Sequence, residues 1–255
     1  MKTLKIILVT ALALFLFACS EEKMDEIDKE RNEALDMEAG SILPDAILKS
    51  AFETTGCDIA WYATVYIEHS AGTWAQSAVA DKRQGQNDYS LMNNNWNGLY
   101  DVMNELKDIL KKTDPATGTE PDNFWARGIA QVLTAYNLAV ATDMWGEVPW
   151  SEALQGAENL QPRFDKQSAL YLEIQAMLDD AIVNLGKTEF KLPTSDYIYG
   201  GDENAWIKAA WSLKARYYMR LSQRDNNAAA SVLACIPNGF ASNDDNFIFA
   251  AYEAT

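Results

Sequence analysis

Histidine is nearly missing from this chain: among 255 residues, His69 is the only one. A Ser-His-Asp triad or a Cys-His dyad would have to pass its proton through that residue. Its neighbours Glu68 and Ser70 make no recognised pattern, so a structural role is expected for it. Cysteine is scarce as well, with three residues, and there is no HExxH, CxxC or paired Cys/His spacing to hold zinc. No Walker A run, GxGxxG or GxSxG occurs, and Asp244-Asp245 lacks the downstream ligands of an EF-hand loop. Neither a metal nor a cofactor is expected. Basic residues are outnumbered, 21 against 37 acidic ones, for a net charge of −16. That excludes the basic face with which proteins meet nucleic acid, and electrostatic docking on anionic lipid. The abundant carboxylates leave acid–base hydrolysis by a carboxylate pair open, but no pattern singles a pair out. Period-2 alternation is not sustained anywhere, which disfavours a sheet-based fold. What the chain does have is 48% apolar content, with eight Trp and eleven Tyr: enough for a real core, a ligand-stacking surface, or both.

The N-terminus carries a short basic region, Lys2 and Lys5, followed by thirteen uncharged residues from Ile6 to Ala18. A spanning helix needs about 20, whereas a secretory signal peptide fits. The run ends in Leu16-Phe17-Ala18-Cys19, which resembles the lipobox of bacterial lipoproteins, in which the Cys is acylated and becomes the mature N-terminus. Residues 1–18 are therefore expected to be a lipoprotein signal peptide, with Cys19 the lipidation site, carrying palmitate or a similar acyl chain. Residues 19–42 read as an acidic tether, beginning Ser20-Glu21-Glu22. The acidic stretch directly after the Cys resembles the surface-export signal of Bacteroidetes lipoproteins. Cys57 and Cys235 remain; they could pair in an oxidising compartment or both be buried thiols.

From residue 43 on, 3–4 spacing of apolar residues indicates helices. One begins near Pro44, placed in a first turn, with Ile47, Leu48, Ala51 and Phe52. A second apolar stretch, Ile59 to Ile67, holds Trp61, Tyr62, Val65 and Tyr66. Residues 69–95 read as a loop, long enough to be functional or to hide a short helix. Trp96–Lys112 is amphipathic through Leu99, Val102, Met103, Leu106, Ile109 and Leu110, and Asp114-Pro115 stops it. Asn123 caps a helix to about Thr142, in which Gly128, Ala130, Ala135 and Ala139 permit close approach of a neighbour. Gln167–Leu185 follows, with Gly186 a candidate C′ residue; then Asn204–Gln223, capped by Asp202 or Asn204, and Asn226–Cys235. The pairs 123–142 with 167–185, and 204–223 with 226–235, predict an all-α fold of tetratricopeptide-like helix pairs in a right-handed superhelical scaffold, although no strict repeat signature is present.

Between two of these helices stands Asp143-Met144-Trp145-Gly146-Glu147-Val148-Pro149-Trp150-Ser151-Glu152-Ala153-Leu154. Gly146 frees the backbone to turn, Val148-Pro149 is extended, and Trp145 and Trp150 can pin the corner. This segment resembles the GDVPYSEA hallmark of the SusD/RagB family of nutrient-binding lipoproteins, with Glu147 in place of its Asp and Trp150 in place of its Tyr. Pro162-Arg163-Phe164-Asp165 with Ile174, Leu178-Asp179 and Ala181-Ile182 is similar to a second family stretch. Gly201-Asp202, Trp206-Ile207-Lys208-Ala209 and Ser212-Leu213-Lys214-Ala215-Arg216 are similar to a third. The resemblance implies an outer-membrane, surface-exposed lipoprotein, not an enzyme. It would sit on a SusC-like TonB-dependent transporter and pass it oligosaccharides, or in some members peptides. Residues 43–255 would form its helical domain. Family members are longer, so the helical domain is expected to be incomplete at its C-terminus, where the apolar run Phe247 to Ala251 stands near the end.

Sugars are held by aromatic faces together with planar amide, carboxylate and guanidinium groups. The 69–95 segment offers that mixture, and Trp74, Arg83 and Tyr89 are the expected ligand contacts, the alternative being a surface loop with Trp74 tucked underneath. Trp96, Trp125, Trp206 and Trp211 are expected to be packing residues.

Overall fold

The computed structural model describes Met24 and residues 36–84, 92–187 and 191–249. Two expected features, Cys19 and Tyr89, lie outside these residues, as do the signal peptide, residues 1–18, and residues 20–23 and 25–35 of the tether; residues 39–42, assigned to the tether from sequence, belong to the first helix instead. Residues from Glu38 onward form one unit, in which eight α-helices are described: α1 (Ala39–Lys49), α2 (Cys57–Tyr66), α3 (Ala75–Asp81), α4 (Asn93–Lys112), α5 (Phe124–Trp145), α6 (Gln167–Leu185), α7 (Glu203–Arg220) and α8 (Ala228–Cys235). The longer helices follow one another in space as in sequence. α1 packs on α4, α4 on α5, α5 on α6, α6 on α7 and α7 on α8, while α5 also reaches α7. Contacts between sequential helix pairs are the organising rule of helical-repeat architectures. The all-α, paired-helix fold is the expected one, and both anticipated pairs form.

α5 is the axis. It is apolar on nearly every side, as a helix surrounded by others must be; Trp125, Ile129, Val132, Leu133 and Leu138 are fully buried. Asn123 caps it through its side chain, which accepts from Ala126 N at 3.1 Å. Gly128 lets α6 come close: a Cβ there would stand 2.5 Å from Leu185 Cγ. A buried polar network ties α5 to the wider-wound π-helical turn Ser50–Thr55 that follows α1. Asn137 Nδ2 donates to Leu133 O at 2.8 Å and Ser50 Oγ at 3.0 Å, and Thr54 Oγ1 donates to Asn137 Oδ1. On α4, Leu99, Val102, Met103, Leu106 and Ile109 form the fully buried stripe. Asp114 ends the helix with a local turn, its carboxylate accepting from Ala116 N and Thr117 N at 3.0 and 2.9 Å.

The structure departs from the sequence expectation at several places. α1 starts at Ala39, so Pro44 lies inside the helix rather than in its first turn. Ala39, Gly40 and Leu43 are buried, and Ala39 N is held by Glu120 Oε1 at 2.8 Å; tertiary packing supports the extra turn that the proline obscured. The 69–95 segment contains α3, and α4 begins at Asn93. Gly186 is not left-handed but continues in right-handed geometry, φ −68°, so no special residue is needed there. A minimal two-residue antiparallel pair joins β1 (Val148–Pro149) to β2 (Phe164–Asp165), with Val148 opposite Asp165.

That pair closes the corner between α5 and α6. Gly146 leaves α5 at φ 79° and ψ −112°, a conformation open to glycine. Asp165 then fastens the two ends together: its carboxylate accepts from Trp150 N at 2.9 Å and from Ser151 N and Oγ, each at 2.7 Å. Arg163 Nε donates to Glu152 Oε1 at 2.8 Å. Trp145 meets Trp96 edge-on, centroids 5.3 Å apart, and Tyr100 OH donates to Pro149 O at 2.6 Å. Trp145 and Trp150 both pack against the core, pinning the corner as the sequence indicates.

A second lock precedes α7. Asp196, buried, accepts from Trp206 Nε1 at 2.8 Å, Gly201 N at 2.9 Å and Ile198 N at 2.9 Å, and Asp202 caps the helix through Asn204 N and Ala205 N. Trp206 is fully buried, as is Trp125, while Trp96 is half-buried against Tyr100 and Trp145. Phe247 inserts its ring between Tyr136, Tyr199 and Trp206. Cys235 is a buried free thiol, and burial pushes its pKa up.

Candidate functional site

α2 buries Ile59 and Val65, and its aromatic residues Trp61, Tyr62 and Tyr66 stand beside them on the same side of the cylinder. Tyr62 and Tyr66, four residues apart, share one face, as helical geometry requires. Their rings lie 6.2 Å apart and nearly parallel, at 18°, and Trp61 stands 4.4 Å from Tyr62. All three are half-buried, leaving ring surface accessible. Burial, then the nearby charges of Asp58 and Tyr66, push the Tyr62 hydroxyl pKa up, so it stays a neutral donor and acceptor at ordinary pH.

After α2 the described backbone, residues 67–84 and Met92, repeatedly leaves ordinary geometry. Among the described residues, five non-glycine residues have positive φ; Glu68, Ala75, Arg83 and Met92 fall in this short region, and Leu154 is the fifth. Such residues cost on the order of 1–3 kcal/mol each and gather at ligand-binding segments. Gly72 is required by close approach: a Cβ there would meet Ser77 O at 1.9 Å. Arg83 closes the loop by donating from Nη2 to Tyr66 O at 3.1 Å and to Glu68 Oε1 at 3.2 Å.

Of the expected contact residues, Trp74 lies immediately before α3 and is 82% exposed, more than any other large apolar residue described; it is not tucked under the segment. Arg83 is exposed, but its guanidinium is engaged with the end of α2, which makes it a strut of this surface. Tyr89 is outside the described residues. Sequence reasoning missed the Tyr62–Tyr66 pair, although its i, i+4 spacing was the available signal. His69 is exposed in the turn after α2.

Two further concavities border the helices. One of about 480 Å³ is apolar, lined by Ile47, Leu133, Leu213, Phe247 and Phe249 with Arg216 beside them. One of about 470 Å³ lies by the corner, between Lys107, Trp150, Asp165 and Glu173. No group of three or more His, Cys, Asp or Glu side chains suited to a metal ion exists among the described residues. Stacked phenols, an exposed indole and planar polar groups can bind the alternating apolar and hydroxyl faces of a sugar.

The fold defines a protein of paired, sequentially packed helices. Residues 33–255 match the SusD-like family described as starch-binding and associating with the outer membrane, and the chain belongs to that family. A SusD/RagB family protein from Bacteroides thetaiotaomicron superposes with TM-score 0.80 at 35% identity, over 86% of this chain and 46% of that one. A chitin-binding protein gives 0.62 at 26% identity, over 73% and 39%. A chitin-binding SusD homolog from Flavobacterium johnsoniae, at 19% identity and 0.63 over 81% and 45%, shares the fold. The chain thus spans less than half the length of each of these solved relatives. Comparison with curated proteins gave no match. No helix among the described residues is long and apolar enough to cross a membrane.

Proposed function

We propose that this protein is a cell-surface, lipid-anchored glycan-capture component of an outer-membrane uptake system. It binds oligosaccharides without altering them and hands them to a SusC-like TonB-dependent transporter. The anchor is Cys19, acylated after removal of residues 1–18, with the acidic segment behind it as tether. The observation that carries the reading is the aromatic surface of α2 with the 82% exposed Trp74 close behind it in sequence, because stacking against sugar rings needs accessible flat faces. Membership of a family described as starch-binding and the chitin-binding relatives agree with it. Isothermal titration against a polysaccharide panel is the test. Trp74→Ala is expected to weaken glycan binding by at least about tenfold with helix content unchanged, a loss of about 1.4 kcal/mol. Retained affinity removes Trp74 from the site, and binding to peptides alone makes the chain a peptide-capturing scaffold of the same fold.

A further inference from the structure

Next to the aromatic face, α2 and the π-helical turn meet the first turns of α4 around a cleft of about 470 Å³, walled by Glu53, Asp58, Asn94, Asn95, Asn97 and Asp101. Its chemistry is one-sided. Asn94 Nδ2 is used on Asp58 Oδ2 at 3.3 Å, and Asn95 Nδ2 on Glu53 O at 3.0 Å. Lys49, which also borders the cleft, is committed to Asp45 at 2.9 Å and to Glu105. What remains is mostly acceptor: the carboxylates of Glu53 and Asp101, the second oxygen of Asp58, and Asn95 Oδ1. Asn95 is fully buried, lines the cleft, and its Oδ1 has no hydrogen-bond partner. A buried acceptor without a donor calls for one from outside. Gly98 keeps the carboxylate in place, since a Cβ there would stand 2.8 Å from Glu53 Oε2.

We propose that this cleft is a subsite for the protonated amine of an amino sugar. The inference rests on the glycan-capture reading and specifies its ligand. An ammonium group brings three N–H donors and one positive charge to three carboxylates and an unpartnered amide oxygen. A neutral acetamide brings one N–H and a further acceptor. Asp58 precedes Tyr62 by one helical turn on the same face, so a sugar stacked on the tyrosine pair directs a ring substituent toward the cleft. Recognition is then two-point, ring on phenol and amine on carboxylate.

The test is titration at low salt and about pH 6, where a sugar amine carries its proton. A glucosamine oligomer is compared with the N-acetylglucosamine oligomer of equal length. Binding at least about tenfold tighter for the amine is expected. The double variant Glu53→Gln with Asp101→Asn should abolish that preference while leaving affinity for the acetylated oligomer and the circular-dichroism spectrum unchanged. Gly98→Ala, which displaces Glu53, should lower the preference as well. A control removing two carboxylates elsewhere, Glu158→Gln with Asp180→Asn, should retain it. Equal affinity for the two oligomers overturns the subsite and leaves glycan capture standing. Loss of preference in the control, or a lysine tripeptide binding as tightly as the amino sugar, also overturns it. If neither oligomer binds, the subsite is wrong, and the polysaccharide panel separately decides glycan capture.

Discussion

Asp165 illustrates how one side chain can hold a corner. Burial opposes its charge, but hydrogen bonds from the Ser151 backbone and hydroxyl, with Trp150 N, overcome that and hold its pKa below the ordinary carboxylate value. The linkage follows from that sign. A carboxyl with a depressed folded pKa contributes stability that is fully present above its unfolded value, about 3.9, and is lost as pH falls through the lower folded value. Urea unfolding midpoints should therefore drop for the wild type as pH falls below about 4. In Asp165→Asn the midpoint should be lower at neutral pH and its further decline on acidification shallower. An unchanged acid profile in the variant would mean that the lock contributes nothing. Much at this scale was legible: Gly146, Trp145 and Trp150 announce a pinned corner by residue type alone. That Asp165 closes it was not, because its partners Trp150 and Ser151 are remote in sequence, and only the folded register of β1 and β2 brings them together.

At the scale of elements, periodicity served where the apolar residues gather in one stripe. α4 and α6 were readable almost residue for residue because their apolar spacing records a single buried face. α3 was hidden, since a helix of seven residues, Ala75–Asp81, has too few turns for a period to emerge. α1 was shortened at Pro44 because local rules make proline a boundary, while burial of Ala39, Gly40 and Leu43 carries the helix through it. The candidate site suffered most. Trp74 stands out by residue type and proves exposed, and Arg83 turns out to brace the end of α2, but the cleft draws on α2, α4 and the turn between α1 and α2, and no linear pattern records that meeting. The α5–α6 crossing offers a direct check of the small-residue reading. Gly128→Ala should destabilise by about 1–3 kcal/mol through overpacking against Leu185. Adding Leu185→Ala should restore part of that loss relative to the sum of the two single variants, measured by urea denaturation. Simple additivity would place the contact elsewhere.

For the whole molecule, the net charge of −16, which removal of residues 1–18 with Lys2 and Lys5 takes to −18 (19 − 37), and the proposed anchor act together. A protein so acidic is repelled by anionic headgroups, so in the proposed arrangement the acyl chains rather than charge would hold it on the lipid, each buried methylene adding about 0.8 kcal/mol. Cys19→Ser should abolish incorporation of labelled palmitate and release the protein from the membrane fraction, even at low salt, where any attraction between charges would be strongest. A variant that remains membrane-bound without label would remove lipidation from the proposal.

The Asp165 lock has one more consequence. Because it joins the ends of the α5–α6 connection directly, the stretch from about 155 to 162, in which Leu160 is 81% exposed and Asn159 is tied back only to Glu152 O, lies outside the fastened frame. Extending such a loop is cheap, about 0.6 kcal/mol for each doubling of its length. This makes it the natural graft point of the scaffold, where an epitope or a longer recognition arm can be inserted while the helices on either side keep their register.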